Sequence, residues 1–521
     1  MNVLIALSTP QIEELKENRP QPEDPPQAQN RVSLSIYVLA LAASISTWFI
    51  AIRAPLWLDE VASYFQINAG FSGIWSRQFV GPSFAAYSYI LWLSTKLIGT
   101  SEIALRVPSV VAMLGAVYLL YLAAREIFER DIAIIAAVVF CLHPIVVFAS
   151  IDIRPYAFGA LATNAAILVL LRLRRSHSIW LAALFGLTAA WIIWFHLLFG
   201  VILPALALCF IAFKFRDRKT LFRQLSVAFA AFALAILPVI PSLTDLFRTS
   251  RTHVYEKAPS PMDLVMTLAP GPLLFIFPGI ALVAFLFFAA RRERSQGGRY
   301  EGWRLVLCTS LALIPILILY GVSVGTSIHM FVPRHRLVAV PGIALCWAFV
   351  LSRFNSRNLR LLFCMALVAA TVFQSYTSPI SRLHDRSMKY ALDVAEKNAS
   401  VDNAPVVICS GFVESDFSAM PPIETVKDSF FFAPLTYYKL SVPVVPLPRL
   451  MNAEAIRVGS QFLREAAQKH MRFLVLGDRI VNSGTLDWLS HNAAATHSIH
   501  KLVEFDQFEV LEFVPRAGTA P

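Results

Sequence analysis

The sequence predicts a polytopic α-helical membrane protein with about eleven spans and a small α/β domain at its C-terminus. Hydrophobic residues make up 57% of the 521 positions and charged residues only 15%, and the mean hydropathy is +0.60. Soluble globular proteins carry more charge than this. The apolar residues fall in uncharged runs of membrane-spanning length, whereas the composition after Ser381 becomes mixed and polar.

The uncharged runs define the predicted spans. The first holds 21 residues between Arg31 and Arg53, close to the ~20 that a helix needs to cross the hydrocarbon core. The later runs are 107–124, 132–151, 155–171, 176–213, 224–244, 264–290, 305–333, 337–352 and 361–381, of which 176–213 is long enough for two helices. Residues 1–31, rich in Pro, Gln and Glu, are predicted to form a disordered cytoplasmic tail, and residues 32–381 the membrane domain.

Clusters of Arg and Lys between the runs set the predicted orientation. With a cytoplasmic N-terminus, the compact basic loops share its side of the membrane, as the positive-inside rule expects. These loops are 125–130, 172–175, 214–223, 291–304 and 353–360. Counting 78–95 as another span would move most of them outside, so we interpret 84–95, after Gly81-Pro82, as an interfacial helix in a first outer loop, 54–106.

Residues 382–521 are then predicted to form a soluble domain on the outer face of the cytoplasmic membrane. Pro405–Cys409 and Arg472–Leu476 have the composition of buried strands, Ala453–Lys469 is an amphipathic helix between them, and Val503–Val514 alternates as a strand pair. Only one of the six cysteines, Cys409, falls in this domain, so no disulfide framework or thiolate metal cluster is predicted.

The net charge of +11 does not indicate a nucleic-acid partner, because the basic residues serve as topology signals. Ionisable residues instead gather at the predicted outer ends of the spans. Two adjacent carboxylates, Asp59 and Glu60, follow the first span within APLWLDEVASYF. Charges beside a bilayer are costly unless they face water, a partner or a cavity, so they suggest function. An acidic interfacial loop is the alternative interpretation.

Three segments carry a family resemblance: PLWLDEVASY at 55–64, IGTSEIALRVPSVV at 98–111 and ASIDIRPYAF at 149–158. In order and spacing they resemble polyprenyl-phosphate-dependent glycosyltransferases of the GT-C superfamily, especially the branch related to protein O-mannosyltransferases and aminoarabinose transferases. VPRHRLVAVPG at 332–342 is a weaker similarity. The chain departs from the family at residues 80–84, where relatives often have a His-Pro-Pro-Leu-like stretch, which leaves the acceptor and any metal site open.

The resemblance implies an inverting glycosyltransferase. It would move a sugar from a polyprenyl-phosphate donor to a lipid, glycan or protein acceptor on the outer face of the cytoplasmic membrane. A transporter or flippase of a lipid-linked substrate is the alternative, but transporters tend to carry ionisable groups near mid-membrane and paired repeats. Here the charges collect at one predicted face, and the sequence has no repeat of fixed period.

Arginines are the predicted partners of the donor phosphate, because their planar fork binds phosphate oxygens in pairs and stays charged. Arg106, Arg334 and Arg336 are the candidates, and interfacial anchoring is the alternative for each. Asp59 is the predicted base that takes the acceptor's proton. Glu60 is either a second catalytic carboxylate or a structural partner of Arg53 or Arg106.

Asp152 is either a further catalytic carboxylate, for acceptor or metal binding, or an ion-pair partner of Arg154. Arg154, Tyr156 and His196 are candidate substrate contacts, although aromatic and histidine side chains also occupy membrane interfaces without any ligand. A divalent cation, Mg²⁺ or Mn²⁺, held by Asp59, Asp152 and His196 would have suitable hard ligands. We assign no metal from the sequence.

Overall fold

A computed structural model describes residues 27–77, 85–241, 258–267, 302–354, 356–377, 387–412, 415, 430–479, 481–505 and 508–516. Four sequence features lie wholly or mostly outside these residues: the N-terminal tail before residue 27, the departure at 80–84, the run 264–290 and the basic loop 291–304. The predicted domain boundary at residue 382 also lies outside them.

The membrane domain is built from helices. They are α1 (Gln27–Ser46), α2 (Leu58–Asn68), α3 (Gly70–Ser76), α4 (Ala85–Ile98), α5 (Glu102–Arg125), α6 (Arg130–Leu142), α7 (Pro144–Ile151), α8 (Tyr156–Arg174), α9 (Ile179–Phe195), α10 (Leu203–Lys214), α11 (Arg218–Ile236), α12 (Pro261–Thr267), α13 (Gly302–Gly325), α14 (Val340–Leu351) and α15 (Arg357–Thr377). Short 3₁₀ helices extend α1 (Thr47–Ala51) and precede α10 (Leu197–Ile202) and α14 (Pro333–Ala339). Because α1 begins at Gln27, residues 27–31 are helical and do not belong to a disordered tail.

Seven of the described helical segments are long and apolar enough to cross a membrane, and the bent pair α6–α7 makes an eighth if it counts as one span. Each predicted span within the described residues coincides with a helix or a pair of helices. The segment predicted to be an interfacial helix forms α4, only 14 residues long. The chain is therefore a multi-pass helical membrane protein, as the sequence predicted.

One predicted span, 132–151, is not a straight helix. α6 and α7 meet at a 70° bend between Leu142 and Pro144. Pro144 has no amide hydrogen to continue the helical ladder, and His143 Nδ1 accepts a hydrogen bond from the Ile145 amide (3.3 Å), which caps the new helix. The uncharged run 132–151 gives the length of a span but not the direction of its helix axis, so it could not predict the bend.

Small residues allow two pairs of helices to pack closely. A Cβ placed on Gly186 of α9 would lie 2.1 Å from the carbonyl oxygen of Ala228 in α11. A Cβ on Gly342 of α14 would lie 2.3 Å from the amide nitrogen of Ala312 in α13. Both distances are far below van der Waals contact, so these crossings need glycine.

The C-terminal domain is an α/β unit with helices α16 (Ser387–Ala399), α17 (Ala453–Gln468) and α18 (Ser483–Ala493). Its strands are β1 (Val406–Cys409), β2 (Val444–Leu447), β3 (Phe473–Asp478), β4 (His497–Phe505) and β5 (Phe508–Pro515), in the sheet order β2-β1-β3-β5-β4. β2, β1 and β3 are parallel, whereas β5 runs antiparallel to both β3 and β4. The predicted strands, the amphipathic helix and the strand pair are all present; β2, α16 and α18 were not predicted.

Alternate strand residues pack on opposite faces of this sheet, as the two-residue period of a strand requires. Val407 and Val475 are buried in one cluster with side chains of α17 and α18. Ile408 and Leu476 belong to the other core, which includes Ala391 of α16. The sheet is therefore covered by helices on both faces, and every residue of β1 and β3 is buried.

Candidate active site

A fully buried ion pair joins Glu60, in the first turn of α2, to Arg106 of α5. Both side chains are 0% exposed, and Arg106 Nη2 lies 2.7 Å from Glu60 Oε2 while Nε lies 3.2 Å from Oε1. The remaining guanidinium hydrogens donate to backbone carbonyls: Nη1 to Ile52 (2.8 Å) and Ala54 (2.6 Å), and Nη2 to Pro55 (3.3 Å). All five donors of the guanidinium are thus used within the protein.

Arg106 was predicted to bind the donor phosphate, but in this structure it has neither exposed surface nor a spare donor, so it is not placed to do so. Glu60 is equally occupied, because it also accepts from the amides of Ile153 (3.1 Å) and Trp57 (3.3 Å). Of the two roles open to Glu60, the structure favours that of structural partner. The pair holds the loop before α2 against α5.

Asp59, the neighbouring residue, faces a different direction and remains accessible. Its side chain is 28% exposed, and Asp59 Oδ2 lies 3.8 Å from Nη1 of Arg334, whose side chain is 38% exposed. Consecutive helical positions point about 100° apart, so one carboxylate can be buried while the next faces solvent. The structure therefore brings together the predicted base and one predicted phosphate ligand.

Asp152 follows α7 and is fully buried beneath this loop. One carboxylate oxygen, Oδ1, accepts from the Trp57 indole nitrogen (3.1 Å), and the other, Oδ2, has no hydrogen-bond partner in the described part of the chain. Burial, followed by the charge of Glu60, raises the pKa of Asp152 well above its usual range, and Arg154 opposes the shift. Asp152 is thus poorly placed to meet a solvent-borne acceptor directly.

The three candidate substrate contacts lie next to one another. The ring of Tyr156 is 5.4 Å from that of His196, and the charge of Arg154 acts on both. Arg154 Nε and His196 Nδ1 are buried and have no hydrogen-bond partner among the described residues. Buried polar atoms of this kind are normally hydrogen-bonded in native proteins, to protein groups or to ordered water.

Arg336, in contrast, is turned away from Asp59. Its Nη1 donates a hydrogen bond to Oγ1 of Thr267 in α12, and its guanidinium lies 4.9 Å from the ring centroid of Phe331. It shares a 3₁₀ helix with Arg334 but points to another neighbour. The structure therefore does not place Arg336 beside Arg334 and Asp59 as a second phosphate ligand.

The chain is similar to known proteins both in sequence and in overall fold. Residues 84–244 match the model of the family described as dolichyl-phosphate-mannose-protein mannosyltransferase. The structure is similar to ArnT from Cupriavidus metallidurans bound to undecaprenyl phosphate, with 12% identity, a TM-score of 0.54 and coverage of 93% of this chain and 98% of that chain. ArnT in the apo state gives 13% identity, a TM-score of 0.52 and the same coverage.

The chain has the GT-C fold. The family resemblance inferred from the sequence is confirmed, and the matched residues 84–244 include the motifs at 98–111 and 149–158. A comparison with curated protein sequences finds no significant match. The structural likeness extends over almost the whole chain, so the GT-C fold includes the C-terminal domain as well as the helices.

The possible metal ligands that the sequence left open are not brought together in the described part of the chain. Among the described residues, no group of three or more His, Cys, Asp and Glu side chains is close enough to hold a metal ion. Asp59, Asp152 and His196 therefore do not form a common site. The nearest neighbour of His196 among the titratable rings is His335, with ring centroids 5.3 Å apart.

Some residues that contact the elements of this site were not predicted from the sequence. Ser109 Oγ donates to the carbonyl of Asp152 (2.6 Å) and fixes the end of α7. Tyr438, in the C-terminal domain, contacts the amide of Leu56. His335 could have been predicted, because it lies between the two candidate arginines Arg334 and Arg336. Tyr438 could not, because it is 382 residues away from Leu56 and one sequence holds no signal of such a contact.

Proposed function

We propose that this protein is an inverting glycosyltransferase that moves a sugar from a polyprenyl-phosphate donor to a lipid, glycan or protein acceptor. The proposal depends mainly on one observation: the accessible carboxylate of Asp59 faces the guanidinium of Arg334 at 3.8 Å. It is supported by the family match, by the GT-C fold, and by a similar protein whose structure contains undecaprenyl phosphate.

Arg334 and Arg154 replace Arg106 as the proposed ligands of the donor phosphate. Arg334 is partly exposed and holds its carboxylate neighbour loosely, so its donors are free to turn towards a phosphate. The Nε of Arg154 is buried and has no hydrogen-bond partner among the described residues. Arg154 also interacts electrostatically with Asp59. Two guanidinium groups suit the charge that develops on a phosphate leaving group.

The proposed chemistry is a single displacement. The acceptor oxygen bonds to the anomeric carbon as the bond from that carbon to the phosphate oxygen breaks. The acceptor's proton passes to Asp59, and the electron pair leaves with the polyprenyl phosphate, whose charge the arginines stabilise. Of the three candidate carboxylates only Asp59 is accessible, so it serves as the one base. A single direct attack of the acceptor then inverts the configuration at the anomeric carbon.

The first test is transfer from a panel of radiolabelled polyprenyl-phosphate sugars by the purified protein in lipid nanodiscs. We expect one donor to be turned over, and Arg334→Ala to lower both donor affinity and turnover at least ~10-fold, because a charge-assisted contact is lost. Arg53→Ala, which removes an exposed arginine at the end of the first span, is the matched control and should retain activity.

The outcomes separate the two functional classes. Transfer that survives Arg334→Ala unchanged would remove Arg334 from the site. If no donor is transferred or hydrolysed, and the protein instead moves a lipid-linked sugar between the leaflets of a liposome, the flippase alternative is correct.

We also propose that the site and the C-terminal domain face the outer side of the cytoplasmic membrane. The basic loops on the side of the N-terminus support this orientation. A reporter that is active only in the cytoplasm should be silent when fused after Pro521 and active when fused before Met1. Activity of the C-terminal fusion would reverse the orientation and would give the site access to cytoplasmic donors.

A further inference from the structure

A tyrosine hydroxyl of the C-terminal domain reaches the loop that precedes Asp59. Tyr438 Oη accepts a hydrogen bond from the amide of Leu56 (2.7 Å) and donates a longer one to Glu102 Oε1 (3.5 Å). Leu56 is three residues before Asp59, and its side chain is fully buried. The hydroxyl therefore acts on the backbone beside the proposed base, although it lies in the other domain.

The other hydrogen bonds given for this short loop in the described residues come from the membrane domain. Arg106 binds the carbonyls of Ile52, Ala54 and Pro55, while Glu60 Oε2 accepts from the amide of Trp57. The amide of Leu56 lies between these groups in the sequence, but it donates to the hydroxyl of Tyr438 in the other domain. Since a buried amide without a partner is costly, loss of the tyrosine hydroxyl should shift the loop.

One apolar cluster between the domains involves α2, the helix that carries Asp59. Leu58, Ala62 and Phe65 lie on one face of α2, at the i, i+4 and i+7 positions, and form a cluster with Phe412 and Ala433 of the C-terminal domain. Gly411 approaches so closely that a Cβ there would lie 2.6 Å from Leu58 Cδ2. α2 is therefore held between Arg106 on one side and the C-terminal domain on the other.

We propose that the C-terminal domain positions the catalytic carboxylate, and that Tyr438 is the positioning residue. This inference rests on the proposed function, in which Asp59 takes the acceptor's proton. A displacement of about 1 Å at a reacting group can cost as much as ~10²-fold in rate. The domain thus contributes to turnover through the geometry of the loop 52–57, without touching the substrate.

Tyr437 offers a matched control. Its hydroxyl also crosses between the domains, donating to the carbonyl of Thr100 (3.0 Å), and its ring packs edge-on against Tyr438 (4.9 Å) and Tyr64 (5.0 Å). Tyr437→Phe therefore removes an equivalent bond from the same junction but spares the loop before Asp59. Phenylalanine keeps the ring packing in both variants, so both should fold.

The first readout is steady-state transfer in nanodiscs. Tyr438→Phe should lower kcat about 10-fold with little change in the KM for the donor, while Tyr437→Phe should stay within about 2-fold of the parent. Equal losses in both variants would show that the junction serves stability alone, and would overturn the assignment of Tyr438.

The second readout is the same change in an Asp59→Asn background. If Tyr438 acts through the base, Tyr438→Phe should have almost no further effect on the residual rate there, because coupled residues are not additive. A full 10-fold loss in the Asp59→Asn background would contradict the proposal, since the effect would not pass through Asp59.

The third readout does not need activity. Hydrogen exchange at the Leu56 amide, followed by mass spectrometry of the peptide that contains it, should be faster in Tyr438→Phe and unchanged in Tyr437→Phe. If the parent transfers no sugar, the proposed function fails and this comparison alone decides whether Tyr438 holds the loop. Identical exchange in parent and Tyr438→Phe would disprove that it does.

Discussion

Arg106→Leu should destabilise the protein by about 3–5 kcal/mol, the range measured when one partner of a buried ion pair is removed. The substitution would leave the Glu60 carboxylate at 0% exposure without its cation, and would also strip the carbonyls of Ile52, Ala54 and Pro55 of their donor. Unfolding by SDS titration, and the yield of monodisperse protein after size exclusion, are suitable measurements.

The control for Arg106→Leu is the double variant Arg106→Leu/Glu60→Leu. With both charges gone, no uncompensated carboxylate remains, and a large part of the lost stability should return. The opposite pattern would be informative. If Arg106→Leu folds normally and loses only donor affinity, then Arg106 contacts the phosphate after all, and the closed pair seen here is not the state that binds substrate.

The acidic pair shows what sequence reasoning could and could not supply for the site. Adjacency and position beside a span were enough to single out Asp59 and Glu60. Which of them faces inward depends on Arg106, which lies 46 residues away from Glu60 in the chain and on another helix. Helical geometry predicts that neighbours diverge, but only the tertiary structure decides which one meets the arginine.

The arginines illustrate the same limit. Arg334 and Arg336 are two residues apart in one motif, and the sequence treats them alike. In the fold, Arg334 reaches Asp59 whereas Arg336 donates to Thr267. A 3₁₀ helix has three residues per turn, so positions two apart point in widely different directions. The motif therefore identifies the segment but not the side chain that serves the site.

The fold was more predictable, because membrane spans and buried strands leave strong local patterns. The strand that was missed, β2, contains Pro446 and is followed by Pro448, and proline within a run argues against a strand. β2 is the edge of the sheet, where proline is tolerated because no further ladder partner needs its amide. The pairing of β2 with β1 joins segments far apart in the sequence, so local composition does not predict it.

Asp59→Asn should lower turnover by roughly 10²-fold or more while leaving donor binding and folding intact. Asparagine keeps the size and much of the hydrogen bonding of the side chain but cannot accept the acceptor's proton. Because Asp59 is 28% exposed and its ion pair with Arg334 is loose, the change costs little stability. Single-turnover transfer, binding of the unglycosylated polyprenyl phosphate and the SDS unfolding midpoint measure the three properties separately.

Glu60→Gln is the sharpest control for Asp59→Asn. The two positions are adjacent, and both variants replace a carboxylate by the corresponding amide. Glu60 accepts four hydrogen bonds in full burial, so Glu60→Gln should lose stability first and activity only in proportion to folded protein. If instead Asp59→Asn loses donor binding, Asp59 interacts with the donor phosphate, and a bridging cation becomes the better explanation. If Asp59→Asn keeps full transfer, the base lies elsewhere and the proposed chemistry is wrong.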